Sequence, residues 1–435
     1  IGNKRLYEYQ VEFLRGQQLQ GQPIYLSVPA SFSIDEFDLY RLKELDVLTL
    51  NVPDGLSLGD SILYSWNATA KYHNSLIVLH GDTLFLDSKF YGSNILSVHE
   101  NHGYYKRAAL GRKSNVLEEV HNDWSDHSEK VISGFFRFEN PLGFMKSLVE
   151  TKSDFIEALV NYHDSFPMSL VSNGKWVDFG HINSFFQSRT VMTTQRSFNE
   201  LVMGTRYVSK TSKTKSKKVY AEGTWFSKLP APLRLYTPAL LGFENGGNDF
   251  EGASYTLEYL YLLPLSDMFV FGRLAKTTWE SILTSISDML FEFGQVSPSE
   301  TSKSDLSDLD GLYLAKTLER LKDFEKTCDL GISSKNIRLE DGELTSIDSI
   351  AEKSAAYIKK ATENDHCLVH GDLCFSNLLF DNRVEAVKCI DPRGMSPNGK
   401  VSLDGDRRYD LAKLYHSIVG LYDFIIAGRY QFKSS

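Results

Sequence analysis

The stretch HCLVHGDLCFSNLLFD, His366 to Asp381, together with the VKCIDPRG that follows it, constrains the fold more than any other part of the chain. LLF and VKCI are apolar runs too short for helices, and turn residues bound them, so they read as the two strands of a hairpin. A strand-like run ends in His370, Gly371 and Asp372. Asn377 lies five residues after that aspartate, and Asp391 closes the second hairpin strand. The hairpin would place Asp391 beside Asn377.

Phosphoryl transfer asks little covalent work of a protein. It needs one carboxylate near the attacking hydroxyl, oxygen ligands for Mg2+ on the phosphates, and charge to neutralise the transferred group. Asp372, Asn377 and Asp391 supply those types in that order.

The 435 residues leave room for two or three domains, and 42% hydrophobic with 24% charged residues is ordinary for a globular protein. A formal net charge of −9 argues against nucleic acid bound through a broad basic face. No apolar run approaches the ~20 residues that span a bilayer, and no signal peptide opens the chain. The four cysteines, Cys328, Cys367, Cys374 and Cys389, form no CxxC pair. They read as buried free thiols in a reducing compartment, which predicts a cytoplasmic protein. The opening IGNKRLYEYQ has no initiator Met and reads as the middle of a domain, and the closing GRYQFKSS follows a helix-like segment without an obvious finish, so both termini are expected to be incomplete. No oligomeric state is legible.

Over the first ~190 residues strand-like and helix-like segments alternate. LYEYQVEFLRGQQ is helical, PIYLSVP a strand, SIDEFDLYRLKEL a helix opened by a Ser–Glu spacing, and DVLTLNVP a strand. SLGDSILYSWNATAKY is helical, NSLIVLHGDTLFLD reads as one buried strand running into a loop, and VISGFFRFEN as the edge of a strand pair. Such alternation predicts a mostly parallel sheet with helices on both faces and ligands at the carboxyl ends of strands, where Gly81 and Asp82 lie. Beyond ~190 the pattern changes. RSFNELVMGTRYVSKTS reads as two strands joined at Met203-Gly204, and YTLEYLYLLPLSDMFVFG as paired strands joined by a linker. SKTSKTKSKK reads most simply as a solvated loop, with a phosphate-contacting loop as the alternative. From Thr277 onward the chain is largely helical, ending in one amphipathic helix over RRYDLAKLYHSIVGLYDFIIAG.

HGDLCFSN followed by IDPRG resembles the choline kinase and aminoglycoside phosphotransferase family, a branch of the protein-kinase-like fold. The resemblance covers roughly residues 191–435 and implies an α+β bilobal domain, with a small lobe at 191–275 and a large lobe at 276–435. It implies ATP as phosphate donor, Asp372 as catalytic base, Asn377 and Asp391 as Mg2+ ligands, and His370 as a brace of the loop. It also implies a small-lobe lysine for the ATP phosphates and a glutamate that holds it. Lys210, at the end of RYVSK, and Glu222 are the expected pair, with Lys217 or Lys218 able to replace the lysine. Tyr259 and Leu260 in EYLYLLP resemble the linker that contacts the adenine, and Asp410 in YDLAKLY a brace of the catalytic loop. A glycine-poor FNELVMGT stands where protein kinases have several glycines.

Residues 1–190 resemble the sugar-phosphate and choline-phosphate nucleotidyltransferases, whose domain is a Rossmann-like α/β fold with a mostly parallel sheet. That likeness implies Asp82 of VLHGDTLF and Asp178 of KWVDFG as holders of a Mg2+ ion, and Gly55 to Gly59 in GLSLGDSI as the segment near the base. The family's Gly-rich triphosphate loop belongs just upstream of GNKRLYEYQ, and a segment is expected to be missing there. His80 and Trp176 read as packed core. Together the halves predict a bifunctional transferase. One half phosphorylates a small alcohol, amino alcohol or sugar; the other activates the ester with CTP, or another nucleoside triphosphate, for capsule polysaccharide or lipid decoration. The alternatives are an anomeric sugar kinase joined to a uridylyltransferase, and a kinase whose first half only binds nucleotide or scaffolds.

Overall fold

The computed structural model describes residues 4–17, 21–69, 74–100, 108, 130–192, 200–297, 313–328, 337–338, 342 and 344–431. Within it the chain divides into two compact units, Ile1–Thr193 and Thr194–Ser435.

The first unit opens with α1 (Leu6–Gly16), β1 (Ile24–Pro29), α2 (Glu36–Glu44), β2 (Val47–Val52) and α3 (Leu58–Ala68). Then come β3 (Leu76–Leu79), β4 (Thr83–Leu86), β5 (Ile95–Glu100), β6 (Lys130–Phe138), α4 (Pro141–Glu150) and α5 (Phe155–Ser165). β7 (Ser169–Val171), β8 (Lys175–Asp178) and α6 (Ile182–Met192) complete it. Helices α2 to α5 begin where side chains satisfy their first N–H groups. Asp35, not the expected Ser33, caps α2; Ser57 caps α3; Asn140, with proline behind it, caps α4.

The sheets are mixed rather than mostly parallel. β1 pairs with β2 in parallel, and a four-stranded sheet runs in the order β3-β6-β5-β7. β6 is antiparallel to both β3 and β5, while β7 is parallel to β5, so β6 alone is reversed. It lies inside the sheet, not at an edge, because Phe135, Phe136 and Phe138 must be covered on both faces and are fully buried. The expected strand is β3, which ends just before Gly81-Asp82, but the segment expected as a loop after it forms a second strand, β4, which leaves the first sheet to pair antiparallel with β8. Phe136, Phe138, Phe144, Phe155 and Tyr162 form an aromatic core between that sheet and α4 and α5.

The second unit begins with β9 (Glu200–Met203), β10 (Tyr207–Thr211), α7 (Ser216–Lys228), β11 (Leu240–Glu244) and β12 (Ser254–Glu258). They form an antiparallel sheet, β11-β12-β10-β9, with α7 packed on it. Helices α8 (Leu265–Phe271), α9 (Lys276–Gly294) and α10 (Leu314–Cys328) follow. Next are β13 (Ile337–Arg338), β14 (Leu344–Thr345), α11 (Ile347–Tyr357), β15 (His366–Leu368), β16 (Leu378–Asp381), β17 (Ala386–Cys389) and β18 (Asp404–Asp406). The unit ends with α12 (Arg407–Ile418) and α13 (Tyr422–Ile426).

SKTSKTKSKK is not one loop: it finishes β10 and starts α7. The run after the linker is α8, not a strand, because Pro264 opens a helical turn there. The last helix is two. Gly420 sends its N–H back to the Tyr415 carbonyl, and Leu421 takes a left-handed φ of 49° that α-helix cannot continue. Cys367, Cys374 and Cys389 are buried free thiols. The side chain of Cys328 and residues 193–199, part of the expected strand pair, lie outside the described residues. Among the described residues no helix is long and apolar enough to cross a membrane.

Candidate functional site

The hairpin forms as its apolar runs require: Leu378 pairs with Cys389, and Asp381 with Ala386. The Ile390 N–H donates to the Asn377 carbonyl at 3.0 Å, which sets Asp391 one step beyond Asn377 across the ladder. Asp391 has a left-handed φ of 56°, a conformation that costs a non-glycine residue about 1 kcal/mol or more. The turn swings its carboxylate toward the sheet of the same unit. There Lys210 Nζ lies 3.1 Å from Asp391 Oδ1 and 2.7 Å from Glu222 Oε2. β10 supplies the lysine and α7 the glutamate, so three separate elements meet at one ammonium.

Both members of the Lys210–Glu222 pair are buried. Tyr255 donates its hydroxyl to Glu222 Oε2 at 2.9 Å, and Lys218 lies 3.6 Å from the other oxygen. Burial works against the lysine's charge, but Asp391 and Glu222 outweigh it and hold Lys210 protonated. Burial also dominates at Glu222 and raises its pKa. Gly394 passes under α7 at φ 63°; a Cβ there would strike the Ala221 carbonyl, so only glycine lets the Asp391 loop run this close to the helix.

Asp372 sits in a loop braced from beneath. Asp410 accepts the N–H groups of His370 and Gly371, each at 2.8 Å. His370 is fully buried, and its Nε2 lies 2.9 Å from the Ile390 carbonyl. The Asp372 N–H is 3.3 Å from His370 Nδ1, so the ring is Nε2-protonated and ties the loop to the hairpin. Burial depresses the His370 pKa to about 4. Asn377 spends its amide N–H on the Asp372 carbonyl at 2.9 Å, which leaves its Oδ1 outside that bond. Asn377 Oδ1 and the Asp391 carboxylate are hard oxygen donors of the kind Mg2+ takes when phosphates complete its shell.

Lys413, on α12, was not singled out from the sequence. Its Nζ lies 2.9 Å from Asp372 Oδ1. Burial would raise the Asp372 pKa, but the Lys413 hydrogen bond and charge, helped by Arg393, outweigh it and hold the carboxyl below its usual range. The signal was present: Lys413 is three residues after Asp410 and shares its helix face.

Two backbone groups of the expected linker, at Tyr259 and Leu260, are bonded within the protein. The Tyr259 N–H donates to the Arg206 carbonyl at 2.9 Å, and the Leu260 carbonyl accepts from the Leu262 N–H at 2.8 Å. The Tyr259 N–H is therefore already bonded within the protein.

In the first unit Asp82 and Asp178 come together. Thr83 and Asp178 are cross-strand partners in β4 and β8, and the Phe179 N–H donates to the Asp82 carbonyl at 2.8 Å. A Cβ at Gly180 would sit 2.5 Å from Asp82 Oδ2 and 3.4 Å from Asp178 Oδ1. Glycine thus keeps clear a cradle between two carboxylates, a donor set suited to a divalent cation. Gly55 is exposed at φ 76° in the turn before α3. Gly59 faces the Ser153 carbonyl, so packing alone accounts for its missing side chain. His80 packs against Gly134, Phe136 and Phe155, and Trp176 donates Nε1 to the Thr83 hydroxyl. Both belong to the core.

No family model and no curated protein matches the chain. Among solved structures it is similar to a nucleoside-diphosphate-sugar pyrophosphorylase from Vibrio cholerae RC9, at 11% identity, 42% of this chain, 86% of that one and a TM-score of 0.34. It is similar to aminoglycoside phosphotransferase APH(3'')-Id from Streptomyces rimosus, at 15% identity, 55% of this chain, 87% of that one and a TM-score of 0.32. HddC from Yersinia pseudotuberculosis is a further likeness, at 14% identity, 43% of this chain, 85% of that one and a TM-score of 0.30. Likenesses at these values assign no function; the chemistry of this chain rests on the geometry of its own site.

Proposed function

We propose that the second unit transfers the γ-phosphoryl group of ATP to a hydroxyl of a small molecule. The observation that carries this reading is Lys210, held between Glu222 at 2.7 Å and Asp391 at 3.1 Å, with Asn377 bonded to Asp372 at the hairpin's start. Lys210 would hold the phosphates. Asn377 and Asp391 would hold Mg2+, which when bound neutralises charge on the phosphates. Asp372 orients the hydroxyl and takes its proton as the oxygen bonds to the γ-phosphorus. The bond from that phosphorus to the bridging oxygen breaks, and its electron pair leaves with ADP. A carboxyl held below its usual pKa is a weak base, which suits a loose transition state in which the hydroxyl proton leaves late.

For the first unit we propose nucleotidyl transfer. A phosphate-ester oxygen attacks the α-phosphorus of a nucleoside triphosphate, CTP before UTP, and pyrophosphate leaves. Asp82 and Asp178 would hold the cation. The two activities in series turn an alcohol into a nucleotide-activated donor.

The test is ADP release from Mg·ATP by the full chain across amino alcohols, polyols and hexosamines, alongside pyrophosphate release from each nucleoside triphosphate with the matching phosphate esters. Asp372→Asn is expected to cut ADP release by about 100-fold or more, since general-base assistance contributes that much. Asp178→Asn is expected to abolish pyrophosphate release and leave ADP release unchanged. Acceptor-dependent ADP release that survives Asp372→Asn would sink the kinase assignment.

A further inference from the structure

The surroundings of Asp372 speak to the acceptor. Lys413 pairs with it directly at 2.9 Å. Arg393, anchored by its own N–H to the His370 carbonyl at 2.8 Å, has its guanidinium carbon 4.7 Å from the centroid of the Tyr409 ring and donates to the Tyr409 hydroxyl at 3.0 Å. The start of α10 is tied to the same place: Tyr313, just ahead of it, packs on Tyr409 and donates to Asp406 at 2.9 Å.

That docking fixes Lys316, half-buried on the first turns of α10. Among the described residues Lys316 makes no hydrogen bond and no ion pair, and its leading charged neighbours are Arg393, Arg320, Asp372 and Lys413. Burial first, then Arg393 and Arg320, push its pKa down to about 8. Arg320, four residues on, shares its helix face and is exposed, equally without a hydrogen bond or ion pair among the described residues. Like charges at that spacing repel. A half-buried lysine among other cations is costly, and the one carboxylate among its leading charged neighbours, Asp372, is already paired to Lys413.

We propose that the hydroxyl acceptor of the second unit is an anion, a compound bearing a carboxylate or a phosphate group. Its charge is taken by Lys316 and Arg393, with Arg320 at the rim, while its hydroxyl meets Asp372. The proposal rests on the phosphotransferase reading and replaces its amino alcohols and hexosamines with acidic hydroxyl compounds. Arg393 offers a planar fork that fits either group, and Lys316 adds a point charge. The same cluster disfavours a cationic acceptor, which would enter against four positive side chains.

The experiment uses the full chain loaded with Mg2+ and a non-hydrolysable ATP analogue, so the γ-phosphate position is filled. Inorganic phosphate, acetate and tetramethylammonium are titrated in, and the melting temperature and equilibrium binding are followed. Phosphate or acetate is expected to bind saturably, whichever is tighter naming the group. Lys316→Gln and Arg393→Gln are each expected to weaken it about tenfold, and Lys316→Arg to restore it, with analogue affinity moving less than about twofold. Saturable binding of tetramethylammonium alone, or anion binding indifferent to Lys316, overturns the proposal. If the analogue itself fails to bind, the phosphotransferase reading fails, and the same titration without nucleotide still decides whether the cluster holds anions. In ADP release, matched acceptors that differ only in one group — hydroxyl, amine, carboxylate or phosphate — give the second readout: lower KM for the acidic members, lost in Lys316→Gln with the KM for ATP retained.

Discussion

At the scale of single residues, Asp410 and His370 brace one loop with opposite protonation preferences. Burial raises the Asp410 carboxyl to about 7, against two backbone N–H bonds that favour its charge. It lowers His370 to about 4. A raised acid contributes stability fully present below its unfolded pKa of about 3.9 and lost as pH rises toward 7. A depressed histidine contributes stability present above about 6.5 and lost as pH falls through 4. The two slopes oppose, so the wild-type profile alone hides both. Comparison with Asp410→Asn separates them. The variant does not titrate there, so its deficit relative to wild type is expected to be greatest near pH 4 and to shrink by up to about 4 kcal/mol by pH 7.5. Urea midpoints at three pH values measure it; a deficit that grows with pH would mean that Asp410 is ionised in the fold and its hydrogen bonds dominate.

At the scale of elements, the spacing of α7 from its sheet sets the Lys210–Glu222 contact. Gly223 is the neighbour of Glu222, and a Cβ on it would enter the Phe243 ring of β11. Gly223→Ala must lift α7 or displace Phe243, an overpacking cost of about 1–3 kcal/mol. The variant is expected to melt lower and to show a raised KM for ATP, because Glu222 moves with the helix. Gly242→Ala, where the nearest atom to a new Cβ is Thr256 at 4.0 Å, is the control and should stay within about 0.5 kcal/mol. The hairpin from Leu378 to Cys389 was legible in the sequence because its partners are close along the chain and its apolar runs are bounded by turn residues. The meeting of Lys210 with Glu222 was legible only as an order of segments. The place of β6 was not legible: strand alternation marks a strand but says nothing of its neighbours or direction. Nor were Lys316 and Lys413 found beside Asp372, since that juxtaposition arises from the packing of α10 and α12 around Tyr313 and Tyr409. That the Arg206 carbonyl takes the Tyr259 N–H was not legible either, because a linker sequence does not reveal its long-range backbone partners.

At the scale of the whole molecule, the division into two units has an energetic counterpart. Residues 6–192 supply three apolar clusters and residues 219–418 supply a fourth, with no residue shared between the two sets. Each unit therefore has its own core, and separate cores unfold as separate cooperative transitions unless an interface couples them. Calorimetry of the full chain is expected to resolve two transitions. A ligand that binds only the native form at 100 times its Kd adds about 2.7 kcal/mol. For a unit of this size that moves its melting point by about 5–10 °C. Mg·ATP analogue should move one transition alone, Lys210→Ala should cancel that shift, and Asp372→Asn should retain it because the base meets the acceptor, not the nucleotide. Mg·CTP should move the other transition, in a manner lost with Asp82→Asn and Asp178→Asn together. A single transition that responds to both nucleotides would show that the units unfold as one body, and the independence inferred from their cores would be wrong.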